Sequence, residues 1–125
     1  MKIVKQIVFT LFALMFINAG LNKFFMYMPA QQMTPEQMEI AGAILKLKWL
    51  FPLLGIMETT GGLLVIFPKT RALGALVIFP VMVGIVLHHT TLDPSIPGLP
   101  IAIVLLIINS WMLVDNYKKY RPIIA

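Results

Sequence analysis

The sequence contains no cysteine, which excludes a thiol–disulfide mechanism carried by this chain and any stapling by disulfides. Charge is scarce as well. Asp, Glu, Lys and Arg make up 12% of the 125 residues and only five are acidic, which excludes an ordinary soluble domain of this size. There are two histidines, and they are adjacent, His88 and His89. A haem held by two histidines needs ligands from two helices, so this pair argues against haem ligation by one chain. No nucleophile stands beside a base, and there is no glycine-rich phosphate loop or zinc motif, so catalysis by this chain alone is unsupported. The aromatic residues lie in apolar stretches, not basic ones, which argues against nucleic acid as a partner.

What remains is apolar. Hydrophobic residues make up 59% of the chain and the mean hydropathy is +0.90, the values of an integral membrane protein. A crossing takes about 20 residues, so the length allows at most four. The reading is an all-α integral membrane four-helix bundle, one domain over residues 1–125, with spans at about 5–26, 49–67, 71–89 and 99–117. The basic start and the apolar run from Ile7 to Ile17 resemble a secretory signal peptide. Because the apolar stretch continues to Met28, it is read as a retained first span, and Tyr27 to Gln32 as its exit loop.

Between the first two spans, Thr34-Pro35-Glu36-Gln37 has the form of a capping box with proline at the first helical position. A short amphipathic helix from Pro35 to about Lys48 is expected, lying on the membrane surface or leading into the second span. Trp49 marks the interface where that span begins, and Pro68-Lys69-Thr70-Arg71 is a tight turn after it. In the third span Gly74, Val77, Val81, Gly84 and His88 form a stripe expected to pack inward and to bring His88 inside, with a kink at Pro80. Thr90 to Pro100 reads as a loop. The fourth span carries Ala102, Leu105, Asn109, Met112 and Asn116 on one stripe. Seven cations fall on the side of the termini and three on the other, which predicts cytoplasmic termini.

The residue that demands explanation is Glu58, in the middle of the second span. A carboxylate there costs on the order of 3 kcal/mol to insert, so it should face protein or water. Gly55, Glu58, Thr59 and Gly62 share one helical face, small and polar, that neighbouring helices can approach closely. Asn18 and Asn22 share a face of the first span. With Thr59, His88 and Asn109 these residues form a candidate polar pocket around Glu58 that opens outward. Two readings stand for Glu58: a proton or ligand site, or a hydrogen-bonded group that holds the bundle together. Lys23 either snorkels to the headgroups or approaches Glu58 or an acidic ligand. His89 is read as facing the headgroups; a metal shared with Asp93 is a weak alternative. Lys69 and Arg71 read as a topology signal. The nine methionines and eight phenylalanines read as packing and lipid contact.

Three stretches carry a resemblance: Ala19-Gly20-Leu21-Asn22-Lys23-Phe24, Glu58 with Gly61-Gly62-Leu63-Leu64, and Arg71-Ala72-Leu73-Gly74-Ala75-Leu76. In these the chain resembles the DoxX-like family of small four-helix membrane proteins, over nearly its whole length. The resemblance implies a four-helix bundle in the bacterial cytoplasmic membrane and singles out Lys23, Glu58 and Arg71, with His88 more weakly. Members include a subunit associated with thiosulfate:quinone oxidoreduction and components of oxidative-stress complexes, and distant animal relatives act as receptor-assembly chaperones. The family therefore implies no single activity. Two functions are carried forward. One is an accessory subunit of a membrane redox system, with a pocket for a quinone or another lipophilic ligand at Glu58. The other is a scaffold or assembly chaperone for another membrane protein. A small transporter is a third and weaker possibility, and the glycine stripes permit a homodimer.

Overall fold

A computed structural model describes residues 2–27, 33–92 and 98–124, and among them there is no strand. The elements are α1 (Lys2–Phe25), α2 (Pro35–Lys46), α3 (Leu50–Ile66), α4 (Arg71–Leu87), a π-helical turn (His88–Leu92), α5 (Gly98–Asp115) and α6 (Tyr117–Ile124). Among the described residues three helical stretches are long and apolar enough to cross a membrane: Lys2–Phe25, Arg71–Leu92 and Gly98–Asp115. The segment containing Glu58 meets that measure only together with α2, from which it is bent by 88°.

Local chemistry accounts for the boundaries. Met26, at φ 48°, ends α1 in the left-handed region, with its amide on the Asn22 carbonyl at 2.8 Å. The capping box forms as expected. The Gln37 amide donates to Thr34 Oγ1 at 3.2 Å, and the Thr34 amide donates to Gln37 Oε1 at 2.9 Å. The near-perpendicular bend after α2 favours a helix lying across the bundle end over a continuation of the span. After α3, the turn is closed by the Thr70 amide on the Phe67 carbonyl at 3.0 Å and by Thr70 Oγ1 on the Leu64 carbonyl at 2.6 Å.

The bundle runs in the order α1, α3, α4, α5, with α5 touching α1 only thinly. Its core comprises Phe9, Phe12, Ala13 and Phe16 of α1, Val65 of α3, Ala75, Ile78, Val81 and Met82 of α4, and Met112 of α5. Phe9 meets Trp111 edge-on at 4.9 Å. Many large apolar side chains are exposed on the outer surface, among them Ile7, Leu11, Leu63, Leu73 and Ile107, as suits a lipid-facing surface.

One expectation needs correction. The inward stripe of α4 is Gly74, Ala75, Ile78, Val81 and Met82, and Gly84 lies on the exposed side with open space around it. Gly74 brings α4 onto the α3 backbone, where an added Cβ would sit 2.7 Å from the Gly61 carbonyl oxygen, and Ile78 packs against Gly61. Residues 117–124 form α6, tied to the bundle where the Tyr120 hydroxyl donates to the Ala72 carbonyl at 2.7 Å. The stripe of α5 is as expected, with Ala102, Asn109 and Met112 buried.

Candidate functional site

The seam between α1 and α3 is made by small residues meeting backbone. A Cβ on Gly20 would sit 2.8 Å from both the Gly55 carbonyl oxygen and the Thr59 nitrogen, and one on Gly62 would sit 2.9 Å from the Ala13 carbonyl oxygen. Such contacts leave no room for a side chain, so the two backbones can approach only because glycine stands there. Ala13, Ile17, Gly20 and Phe24 repeat at spacings of four, three and four, which keeps one face of α1 against Gly62, Thr59 and Gly55.

This close packing brings Lys23 onto Glu58. Lys23 Nζ donates to Glu58 Oε1 at 3.0 Å and to Oε2 at 2.9 Å. The two side chains differ in burial, Glu58 being 4% exposed and Lys23 21%. The same ammonium lies 5.9 Å from the Phe51 ring centroid, within cation–π range. The pair thus compensates the carboxylate that the bilayer would reject. Lys23 does not simply snorkel away, because its ammonium is held by the carboxylate. Beside the pair, Thr59 Oγ1 is buried with no hydrogen-bond partner among the described residues.

The other expected pocket residues are distributed. Asn22 is half-buried on α1. Asn18 is exposed, and both its carbonyl, at 2.9 Å, and its side-chain oxygen accept from the Tyr27 hydroxyl. Asn109 is buried at the α4–α5 contact, where its amide donates to the Ala75 carbonyl at 3.2 Å and its Oδ1 has no partner among the described residues. His88 is half-buried in the π-helical turn, in edge contact with His89 at 5.1 Å. His89 is not simply turned to the headgroups. Its ring lies over Gly98 at the start of α5, where an added Cβ would meet it at 2.6 Å. Asp93 lies outside the described residues. The compact site is therefore Lys23, Glu58 and Thr59, with Phe51 added.

Arg71 does more than mark topology. It is 6% exposed. Its Nε donates to the Val65 carbonyl at 2.9 Å, and its Nη2 donates to the Ile66 carbonyl at 3.3 Å and to Gln6 Oε1 at 2.8 Å. The guanidinium stands 5.1 Å from the Phe9 ring centroid. Arg71 thus caps the last carbonyls of α3 from the first turn of α4 and links both to α1. Lys5 and Asp115 form an ion pair at 2.8 Å at the same end. Gln6 went unremarked in the sequence, although a polar amide one turn before Phe9 is the signal that marks it.

A small helical bundle with membrane-length apolar helices and a compensated buried carboxylate defines a multi-pass helical membrane protein. The family model described as the DoxX-like family matches residues 7–112, and the chain belongs to that family. No match was found among curated proteins or solved structures.

Proposed function

We propose that the protein is an accessory subunit of a membrane redox system, and that the Lys23–Glu58 pair receives the polar head of a quinone-like or other lipophilic molecule. The observation that carries this reading is an ion pair placed in a lipid-bounded seam beside an unpartnered hydroxyl. Lys23 keeps a third donor after serving both oxygens of Glu58, and that donor would meet a ligand carbonyl; the Thr59 hydroxyl, packed against Gly20, would reach the ligand only where the seam opens to admit it. Phe51 offers a flat apolar surface next to them. Glu58 would accept a proton from, or return one to, the bound molecule, while electron transfer would fall to a partner subunit. Asn22 points about 100° away from Lys23 around α1 and is not part of this reduced site. Asn18, His88 and Asn109 have separate structural surroundings and stand outside this reduced site.

The location that goes with this reading is the bacterial cytoplasmic membrane, with α1, α3, α4 and α5 as the four spans of one domain and both termini cytoplasmic. The excess of Lys and Arg at that end supports the orientation.

The test is mass spectrometry of the organic extract from protein purified in mild detergent. A stoichiometric lipophile in the wild type, lost in Glu58→Gln and Thr59→Val, supports the site. Bulk phospholipid alone in every sample removes it.

A second reading is favoured by the glycine seam, in which Lys23 and Glu58 already satisfy each other. The pair would then set the register of α1 on α3 in a scaffold or assembly chaperone for another membrane protein. Under that reading Glu58→Gln lowers recovery of a co-purified partner and leaves the lipid extract unchanged.

A further inference from the structure

At the end of the bundle opposite α2, where α1 and α4 begin and α3 and α5 end, the structure holds a half-open cavity of about 280 Å³ with charged and apolar walls. It is lined by Lys2, Lys5, Gln6 and Phe9 of α1, Arg71 of α4, and Lys119 of α6, with Pro68, Asp115 and Asn116 completing the wall. Four cations face one carboxylate. Asp115 is paired with Lys5 at 2.8 Å, and the described lining as a whole carries a net charge of +3 at a low-dielectric boundary. Arg71 is fixed by three hydrogen bonds. Lys119 lies on the exposed rim, with Nζ 3.3 Å from the Pro68 carbonyl oxygen, on a helix held to the bundle by Tyr120 on Ala72. The positive charge is thus organised by tertiary contacts around an open volume, unlike a loose basic tail.

We propose that this cavity is a binding site for a phosphate-bearing anion at the level of the lipid headgroups. Fixed cations attract anionic lipid at this depth; Arg71, whose Nε and Nη2 are engaged by α3 carbonyls and Gln6, contributes its charge, and Lys2 and Lys119 supply the donors. The volume accommodates a phosphate group with several waters, each taking about 30 Å³. Exposed Ile3, Ile7, Phe67 and Val114 at the same end offer apolar surface for acyl chains. The chemistry of the site selects the phosphate, which can belong to an anionic phospholipid or to a soluble anion.

The experiment is native mass spectrometry of the full chain from micelles with equal phosphatidylglycerol and phosphatidylcholine. The wild type retains one phosphatidylglycerol in preference to phosphatidylcholine. Lys2 and Lys119 are exposed, so Lys2→Ala/Lys119→Ala should fold, and identical circular dichroism in lipid-free detergent checks that. Each cation removed should weaken retention on the order of fivefold, and Lys2→Arg/Lys119→Arg should restore it. The control Lys46→Ala/Lys48→Ala removes the same charge away from the cavity and should retain lipid like the wild type. Persistence of the phosphatidylglycerol in excess inorganic phosphate assigns the site to lipid; displacement by phosphate, with phosphate stabilising the lipid-free protein, assigns it to a soluble anion. Equal retention of the two lipids, or equal loss in the control variant, overturns the proposal.

Discussion

Replacing Lys23 by methionine leaves Glu58 alone in the seam, and the burial of the two side chains sets the scale of the effect. Glu58 is 4% exposed and Lys23 21%. Removing one partner of a buried pair typically costs about 3–5 kcal/mol, because the other charge is left uncompensated. The carboxylate cannot reach water from between α1 and α3, so Lys23→Met should cost near that full amount. The converse variant, Glu58→Met, should cost less, about 1–2 kcal/mol, because the longer and more exposed lysine can carry its charge outward. With both changed, an apolar pair of similar volume fills the seam. The double variant should then lie within about 1 kcal/mol of the wild type, as when buried ion pairs are replaced by well-packed apolar groups. The assay is reversible unfolding from mild-detergent micelles by titration with sodium dodecyl sulfate, followed by far-ultraviolet circular dichroism. Additive single costs would refute the reasoning, since they mean that the charges do not depend on each other in the fold; equal costs for the two single variants would refute the asymmetry argued from their unequal burial.

Three further outcomes follow from the packing. Gly20→Ala forces a Cβ against the backbone of Gly55 and Thr59 and should destabilise by about 1–3 kcal/mol; Gly84→Ala, with open space around it, should be neutral or stabilise by up to about 1 kcal/mol through helix propensity, and the same unfolding titration compares them. Arg71→Lys loses the planar fork that reaches two α3 carbonyls and Gln6 at once and should cost about 1–3 kcal/mol, read as a lowered melting temperature that added salt does not restore. Tyr120→Phe removes the hydrogen bond to Ala72, worth about 1 kcal/mol. Burial raises the Tyr120 pKa above its usual 10.0, so its contribution is complete below pH 10 and disappears as the pH rises through the folded value. The difference in melting temperature between wild type and Tyr120→Phe should therefore be constant at neutral pH and shrink in strong alkali; a difference that grows there counts against the anchoring role of the hydroxyl.

Composition and periodicity determined the membrane class, the helical architecture and the main helical segments, because a lipid solvent permits few other solutions for a chain this apolar. The capping box at Thr34 and the turn at Pro68 were equally legible, since their hydrogen bonds lie within a few residues. The cost of Glu58 also follows from sequence, being a property of one side chain in hydrocarbon. Which group compensates it does not. Asn22 and Lys23 stand about 100° apart on a helix, and only the register of α1 on α3, set by glycines meeting backbone at both Gly20 and Gly62, selects the lysine. The same limit separates Asn109 from Glu58: each has the periodicity of an inward residue, but inward on α5 means toward Ala75 of α4. Arg71 followed the same rule in reverse. Its position after a span reads as topology, and its capping of α3 and contact with Gln6 depend on which helix lies beside it. Hydropathy records that a residue is kept from lipid, and the partner it meets there is decided by helix packing.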